Sequence, residues 1–185
     1  MKKVLLFSFL FLLLIPVVMA YETIIIKYPS GELWEKAYYK KIGTESILQY
    51  LPKGERNPDW KRAIIIHSYF ESGYPVKIFT ANEILKMKKN NPTGNYRYLK
   101  LTENDAIATR CTENYKNIKA QCEFFRVTNA HKGIVTVHYI DRDRENFKDN
   151  YEEWYNIIKK AKYYNSYYRN ERTFNKAEYF ELWDD

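Results

Sequence analysis

The chain is short of the residues that mark cofactor and catalytic chemistry. Its 6 glycines nowhere form Gly-x-Gly-x-x-Gly or Gly-Lys-Ser/Thr, so a phosphate-cradling loop has no support. Histidine is scarce too, at 3: His67, His131 and His138. The last two stand seven apart, and no nearby cysteine or carboxylate completes a zinc set. No metal and no cofactor is expected. A serine on a Gly-x-Ser-x-Gly turn is missing. Ser68 adjoins His67, but neighbouring strand residues point to opposite faces, which separates nucleophile from base. Asp141-Arg-Asp-Arg-Glu145 offers paired acids, each beside arginine, at a strand-to-helix junction where acids are expected anyway.

Cysteine is limited to Cys111 and Cys122. Their spacing excludes a Cys-x-x-Cys redox motif, and a zinc site would need two further ligands. A disulfide is the expected pairing, as suits an oxidising compartment, and it should contribute on the order of 2–3 kcal/mol. The Asn-x-Ser/Thr candidate Asn91-Pro-Thr93 is blocked by its proline, so nothing points to a glycosylated eukaryotic secretory protein. The abundance of Lys, Asn, Ile and Tyr suits a bacterium with an AT-rich genome.

Long apolar runs are confined to the start. Met1-Lys-Lys3 precedes an apolar stretch from Val4 to Val18, broken by Ser8 and Pro16 and ending Val18-Met-Ala20. This predicts a secretory signal peptide over residues 1–20, cleaved after Ala20. The run is shorter than the roughly 20 residues of a spanning helix. No membrane span is expected after cleavage, and the expected location is periplasmic or secreted. Without the two leader lysines the formal charge of +7 falls to +5. That excess reads as a solvated surface rather than a nucleic-acid face.

What remains, residues 21–185, has the length of one domain with a real core. Ile107–Cys111, Gln121–Thr128 and Gly133–Ile140 read as three consecutive strands, rich in β-branched and aromatic residues and separated by polar turns. Folding the first two as an antiparallel hairpin brings Cys111 opposite or nearly opposite Cys122. Tyr21–Tyr28 reads as a first strand. Leu33–Ile42 and Glu45–Leu51 form a hairpin about Gly43-Thr44, with Trp34, Lys36 and Tyr38 on one face. Arg62–Phe70 is the most hydrophobic stretch and predicts a strand near the middle of the sheet, with His67 bonded to a backbone carbonyl or a tyrosine. Thr80-Ala-Asn-Glu83 predicts a capping box that starts a helix reaching Asn90, and Tyr96–Leu101 is a further strand. A long helix spans Arg144–Lys162. Phe147, Tyr151, Trp154, Ile158 and Ala161 form its buried stripe, with acids near its start and lysines near its end.

Aromatics are plentiful: 18 Tyr, 10 Phe and 4 Trp make 17% of the chain. Tyrosine gives large contact area at low entropic cost, in half-buried strands and at interfaces alike. An aromatic-rich C-terminal tail, about residues 163–185, carries Tyr167, Tyr168, Phe174, Tyr179, Phe180 and Trp183. These are the candidate partner-binding residues. The alternative is that this tail folds back and closes one side of the sheet.

Glu45-Ser-Ile-Leu-Gln-Tyr-Leu-Pro-Lys-Gly-Glu55 followed by Trp60, then Cys111 and Cys122 with Phe124-Phe-Arg126, and Trp154, together resemble small uncharacterised exported proteins of Gram-negative bacteria. The resemblance implies an envelope location and supplies no activity. The expected architecture is a single α+β domain: a twisted antiparallel sheet of about six to eight strands, with two main helices packed chiefly on one face. The expected function is non-catalytic binding of another envelope component, as in an accessory subunit of a secretion system. The alternatives are a small secreted enzyme or effector with an unrecognised active site, and a glycan-binding module.

Overall fold

The computed structural model describes residues 22–165; the predicted leader, residues 1–20, lies outside them. In chain order the elements are β1 (Glu22–Ile25), β2 (Trp34–Ile42), β3 (Glu45–Pro52), β4 (Arg62–Phe70), α1 (Val76–Asn90), β5 (Asn95–Leu101), β6 (Asp105–Thr112), β7 (Gln121–Ala130), β8 (Gly133–Asp141), α2 (Arg144–Asp149), α3 (Tyr151–Lys160) and β9 (Lys162–Asn165). Seven strands form one antiparallel sheet in the order β2-β3-β4-β8-β7-β6-β5, and β1 pairs with β9 in a separate ribbon. The α+β class and the antiparallel sheet agree with the sequence pattern. Among the described residues no helix is long and apolar enough to cross a membrane.

The three consecutive strands β6, β7 and β8 form a meander, and Cys111 stands directly opposite Cys122 in register, with the two sulfurs bonded. At the β7–β8 turn only glycine fits. A Cβ on Gly133 would lie 2.0 Å from the Tyr69 carbonyl oxygen, because β4 runs alongside.

The helices lie on opposite faces of the sheet, not chiefly on one. Phe147, Trp154 and Ile158 of α2 and α3 pack with Leu48, Tyr50, Ile64, Ile66, Phe124, Val137 and Tyr139, and Ile24 and Ile26 of the first strand segment extend this core. Val76, Phe79 and Ile84 of α1 instead meet Ala106, Ala108, Phe125, Val127 and Ile134. The cause is visible in the strands: Ala106 and Ile107, or Phe124 and Phe125, are adjacent, so both faces are apolar and both need cover. Trp154 is 1% exposed, with its ring stacked 3.8 Å from that of Tyr139. Burying a side chain of this kind contributes roughly 2–3 kcal/mol.

Four local expectations are corrected. The helix expected from Thr80 begins at Val76 after Pro75; the Thr80 hydroxyl donates to the Val76 carbonyl from inside the helix, 2.6 Å away. The buried anchors Val76 and Phe79 decide the start, outweighing the capping pattern. The long C-terminal helix is two helices that meet at Asn150, whose amide donates to the Asn146 carbonyl at 2.9 Å. Its predicted stripe nevertheless faces the core. The helical segment expected to reach Lys162 ends at Lys160, and Lys162–Asn165 form β9. In β2 a register shift between Lys36 and Tyr38 inserts Ala37 as a bulge. Lys36 then pairs with Tyr50 and Tyr38 with Gln49, which lie on opposite faces, so Tyr38 leaves the face it was expected to share with Trp34.

Candidate functional site

β2 is the edge of the sheet and the most exposed strand. Eight of its nine residues are exposed, with only Trp34 buried. Trp34 anchors the strand: its ring stacks on Tyr28 at 5.5 Å, meets Trp154 edge-on at 5.5 Å and lies under the Arg62 guanidinium, while Nε1 donates to Glu32 at 2.9 Å. Beyond the Ala37 bulge the strand runs regularly from Tyr38 to Ile42, with Tyr38 42%, Tyr39 58% and Ile42 63% exposed. Lys36, Lys40 and Lys41 lie in the same strand, and among the described residues none has a carboxylate within ion-pair distance.

A cleft of about 350 Å³ opens beside this strand, lined by Glu35, Lys36 and Ala37, by Leu51, and by Gly54, Glu55, Arg56 and Asn57. Its loop wall is held by specific bonds. The Glu55 carboxylate accepts the amides of Lys61 and Arg62 at 2.6 and 3.1 Å, and Asn57 donates to Gln49 at 3.2 Å. Below it Arg142 lies 3.5 Å over the Trp60 ring and donates to the Trp60 and Pro58 carbonyls.

A second cluster lies on the α1 face, where sheet register brings two of the three histidines together. The rings of His67 and His138 are 6.0 Å apart. His67 Nδ1 meets the Tyr69 hydroxyl at 3.0 Å and His138 Nε2 meets the Thr136 hydroxyl at 3.2 Å. Glu123 is 1% exposed, with Arg110 Nε 2.6 Å from its Oε1 and His138 Nδ1 3.9 Å from its Oε2. Burial pushes the Glu123 carboxyl up, but the adjacent His138 and Arg110 outweigh it and hold it below the usual carboxylate range. Burial, reinforced by His138 and Lys86, lowers His67 to about 4.

The acids at the strand-to-helix junction have structural partners. Asp143 caps α2 by accepting the amides of Glu145 and Asn146. Asp141 accepts from the Tyr139 hydroxyl at 3.0 Å, the Asn146 amide at 2.5 Å and the Asp143 backbone at 2.8 Å. Burial dominates there and raises its carboxyl despite those bonds. Ser68 is buried on the face opposite His67, as alternation requires. His131 sits in the β7–β8 turn, away from the other two histidines. Among the described residues no group of three His, Cys, Asp or Glu could hold a metal ion.

The expected partner-binding residues Tyr167, Tyr168, Phe174, Tyr179, Phe180 and Trp183 all lie outside the described residues. Glu123 and Arg110 were not expected as a pair, although the signal existed. Once Cys111 is set opposite Cys122, antiparallel register puts Arg110 opposite Glu123. The β2 surface left only ambiguous signal, because both its faces are aromatic. No family model, curated protein or solved structure matches the chain.

Proposed function

We propose that this protein is exported, resides in the periplasm or is secreted, and binds another cell-envelope component without catalysing a reaction, as an accessory subunit of a larger assembly does. The observation that carries this reading is the β2 edge: a strand paired on one side only among the described residues, with Tyr38, Tyr39 and Ile42 exposed and a cleft beside it. Solvent-facing apolar side chains on an edge strand are a liability for a protein that works alone. They are an asset for one that is covered in its working state. The Cys111–Cys122 bond suits an oxidising compartment.

Crosslinking in intact source cells, followed by gentle extraction, sizing and mass spectrometry, tests the proposal. Recovery of the mature chain in a large envelope complex is the expected result. Recovery as a free monomer under conditions that capture known envelope complexes would overturn it.

The approach of His138 to both Glu123 and His67 favours a second reading, a small secreted enzyme using imidazole acid–base chemistry. On that reading a substrate screen finds turnover that His67→Ala and His138→Ala each abolish while the protein stays folded. Turnover unaffected by both substitutions would dismiss this site.

A further inference from the structure

We infer that the outer edge of β2 receives an extended acidic segment of a partner polypeptide, which adds to the sheet as an eighth strand. The inference rests on the binding function proposed above and names the chemistry of the partner.

The two ends of the sheet are not equivalent. Each edge carries one register shift, but at β5 Lys100 is tied to Asp105 at 2.5 Å and Tyr96 is engaged by Lys88 and Arg110. β2, at the other end, keeps an uninterrupted run from Tyr38 to Ile42 whose outer backbone groups meet no strand among the described residues. Main-chain hydrogen bonds to such an edge supply affinity, and alternate side-chain contacts supply selectivity.

Charge selects the occupant. β2 carries Lys36, Lys40 and Lys41 against the single acid Glu35, and these ammonium groups have no ion-pair partner among the described residues. Lys36 and Lys41 follow the face of Tyr50 and Leu48, and Lys40 the face of Gln49 and Ile47. A partner with carboxylates on both faces is therefore matched, whichever face a given acid takes. A second copy is not. Antiparallel pairing of β2 with itself sets lysine against lysine in most registers that use Tyr38 to Ile42, and directly opposed like charges destabilise a strand pair. The exposed rings of Tyr38 and Tyr39, one on each face, give apolar partner side chains a surface to cover. The cleft at Lys36, Leu51 and Arg56 lies where the partner chain would pass the bulge.

The test uses the mature protein and two labelled peptides as long as β2, 9 residues, one alternating Glu and Val and the other Lys and Val. Fluorescence anisotropy at low salt should show the acidic peptide binding at least about tenfold tighter, with the preference shrinking as salt rises. The triple variant Lys36→Glu, Lys40→Glu, Lys41→Glu, shown folded by its circular dichroism and melting curve, should reverse the preference. Equal binding of both peptides, or a preference the variant leaves unchanged, overturns the inference. So does a dimer in sizing that the variant dissolves, because the occupant would then be a second copy. Crosslinking the same variant in cells separates the two proposals. A wild-type complex that survives charge reversal removes the β2 inference and leaves the binding function standing, whereas no complex from either protein removes both.

Discussion

Glu123 and His67 sit in one cluster, yet acid acts on them through different causes. Glu123 stays ionised in a dry site because Arg110 and His138 are against it. Among the described residues His67 has no carboxylate within ion-pair distance, and it is lowered to about 4 first by burial and then by His138 and Lys86. The unfolded chain takes up a proton on His67 near 6.5, the ordinary value, while the folded chain refuses it until about 4. The unfolded state therefore binds more protons in this window. The stability involved is full above pH 6.5 and is lost as pH falls toward 4. The lowered carboxyl of Glu123 acts in the same direction at more acid pH, where the unfolded state protonates first. Denaturant titrations at pH 7 and pH 5 should show the wild type losing about 1–2 kcal/mol, after allowance for partial exposure. His67→Gln should lose markedly less over the same interval. An equal loss in the variant would assign the pH dependence to other groups.

Among the elements, α3 depends on a residue far from it in sequence. Arg126 of β7 is held by Asp105 at 2.7 Å and donates to the carbonyls of Ile158, Lys159 and Ala161 at 3.0, 3.2 and 2.6 Å. These carbonyls lie at the end of α3, where a helix leaves acceptors short of intrahelical donors; the Ile158 carbonyl also takes a long bond from the Ala161 amide, at 3.4 Å. One planar cation thus caps the helix and ties it to the sheet beside the core residue Ile158. Arg126→Met should cost about 2–3 kcal/mol, since Asp105 loses a charged partner and the helix end loses its donor. Amide exchange should quicken in the last turn of α3 more than in β4. Arg126→Lys should recover only part of the loss, because a single ammonium lacks the fork that reaches carboxylate and carbonyls together. Uniform quickening across the sheet would mean that Arg126 supports the whole fold rather than this end.

For the whole molecule, the disulfide crosslinks two neighbouring strands in the half of the sheet that carries α1. Cys122 is 1% exposed and packs in the main core. Replacing both cysteines by serine should lower stability by roughly 2–3 kcal/mol, read as a shift in denaturant midpoint at unchanged slope. Alkylation of the unreduced wild type should modify neither residue. The β2 edge lies at the opposite end of the seven-stranded order, separated from β6 by β3, β4, β8 and β7. Loss of the disulfide should accordingly leave peptide binding at β2 intact in the fraction that remains folded.

Short-range chemistry determined most of the elements. Residue pattern and turn residues placed the strands, folding β6 on β7 as a hairpin set Cys111 opposite Cys122 in the register that also aligns Arg110 with Glu123, and the stripe from Phe147 to Ala161 placed a core-facing helical segment. Each rests on a local period or a covalent distance, which a sequence carries directly. Tertiary structure decided what depends on contacts between distant residues. It put α1 on the face opposite α2 and α3, because adjacent apolar residues in β6 and β7 left two faces to cover. It started α1 at Val76, because Val76 and Phe79 reach a core that local capping preferences do not sense. It brought His67 to His138 across the β4–β8 pair and left β2 at the end of the sheet with no strand on its outer side among the described residues, since strand order follows from which surfaces bury one another.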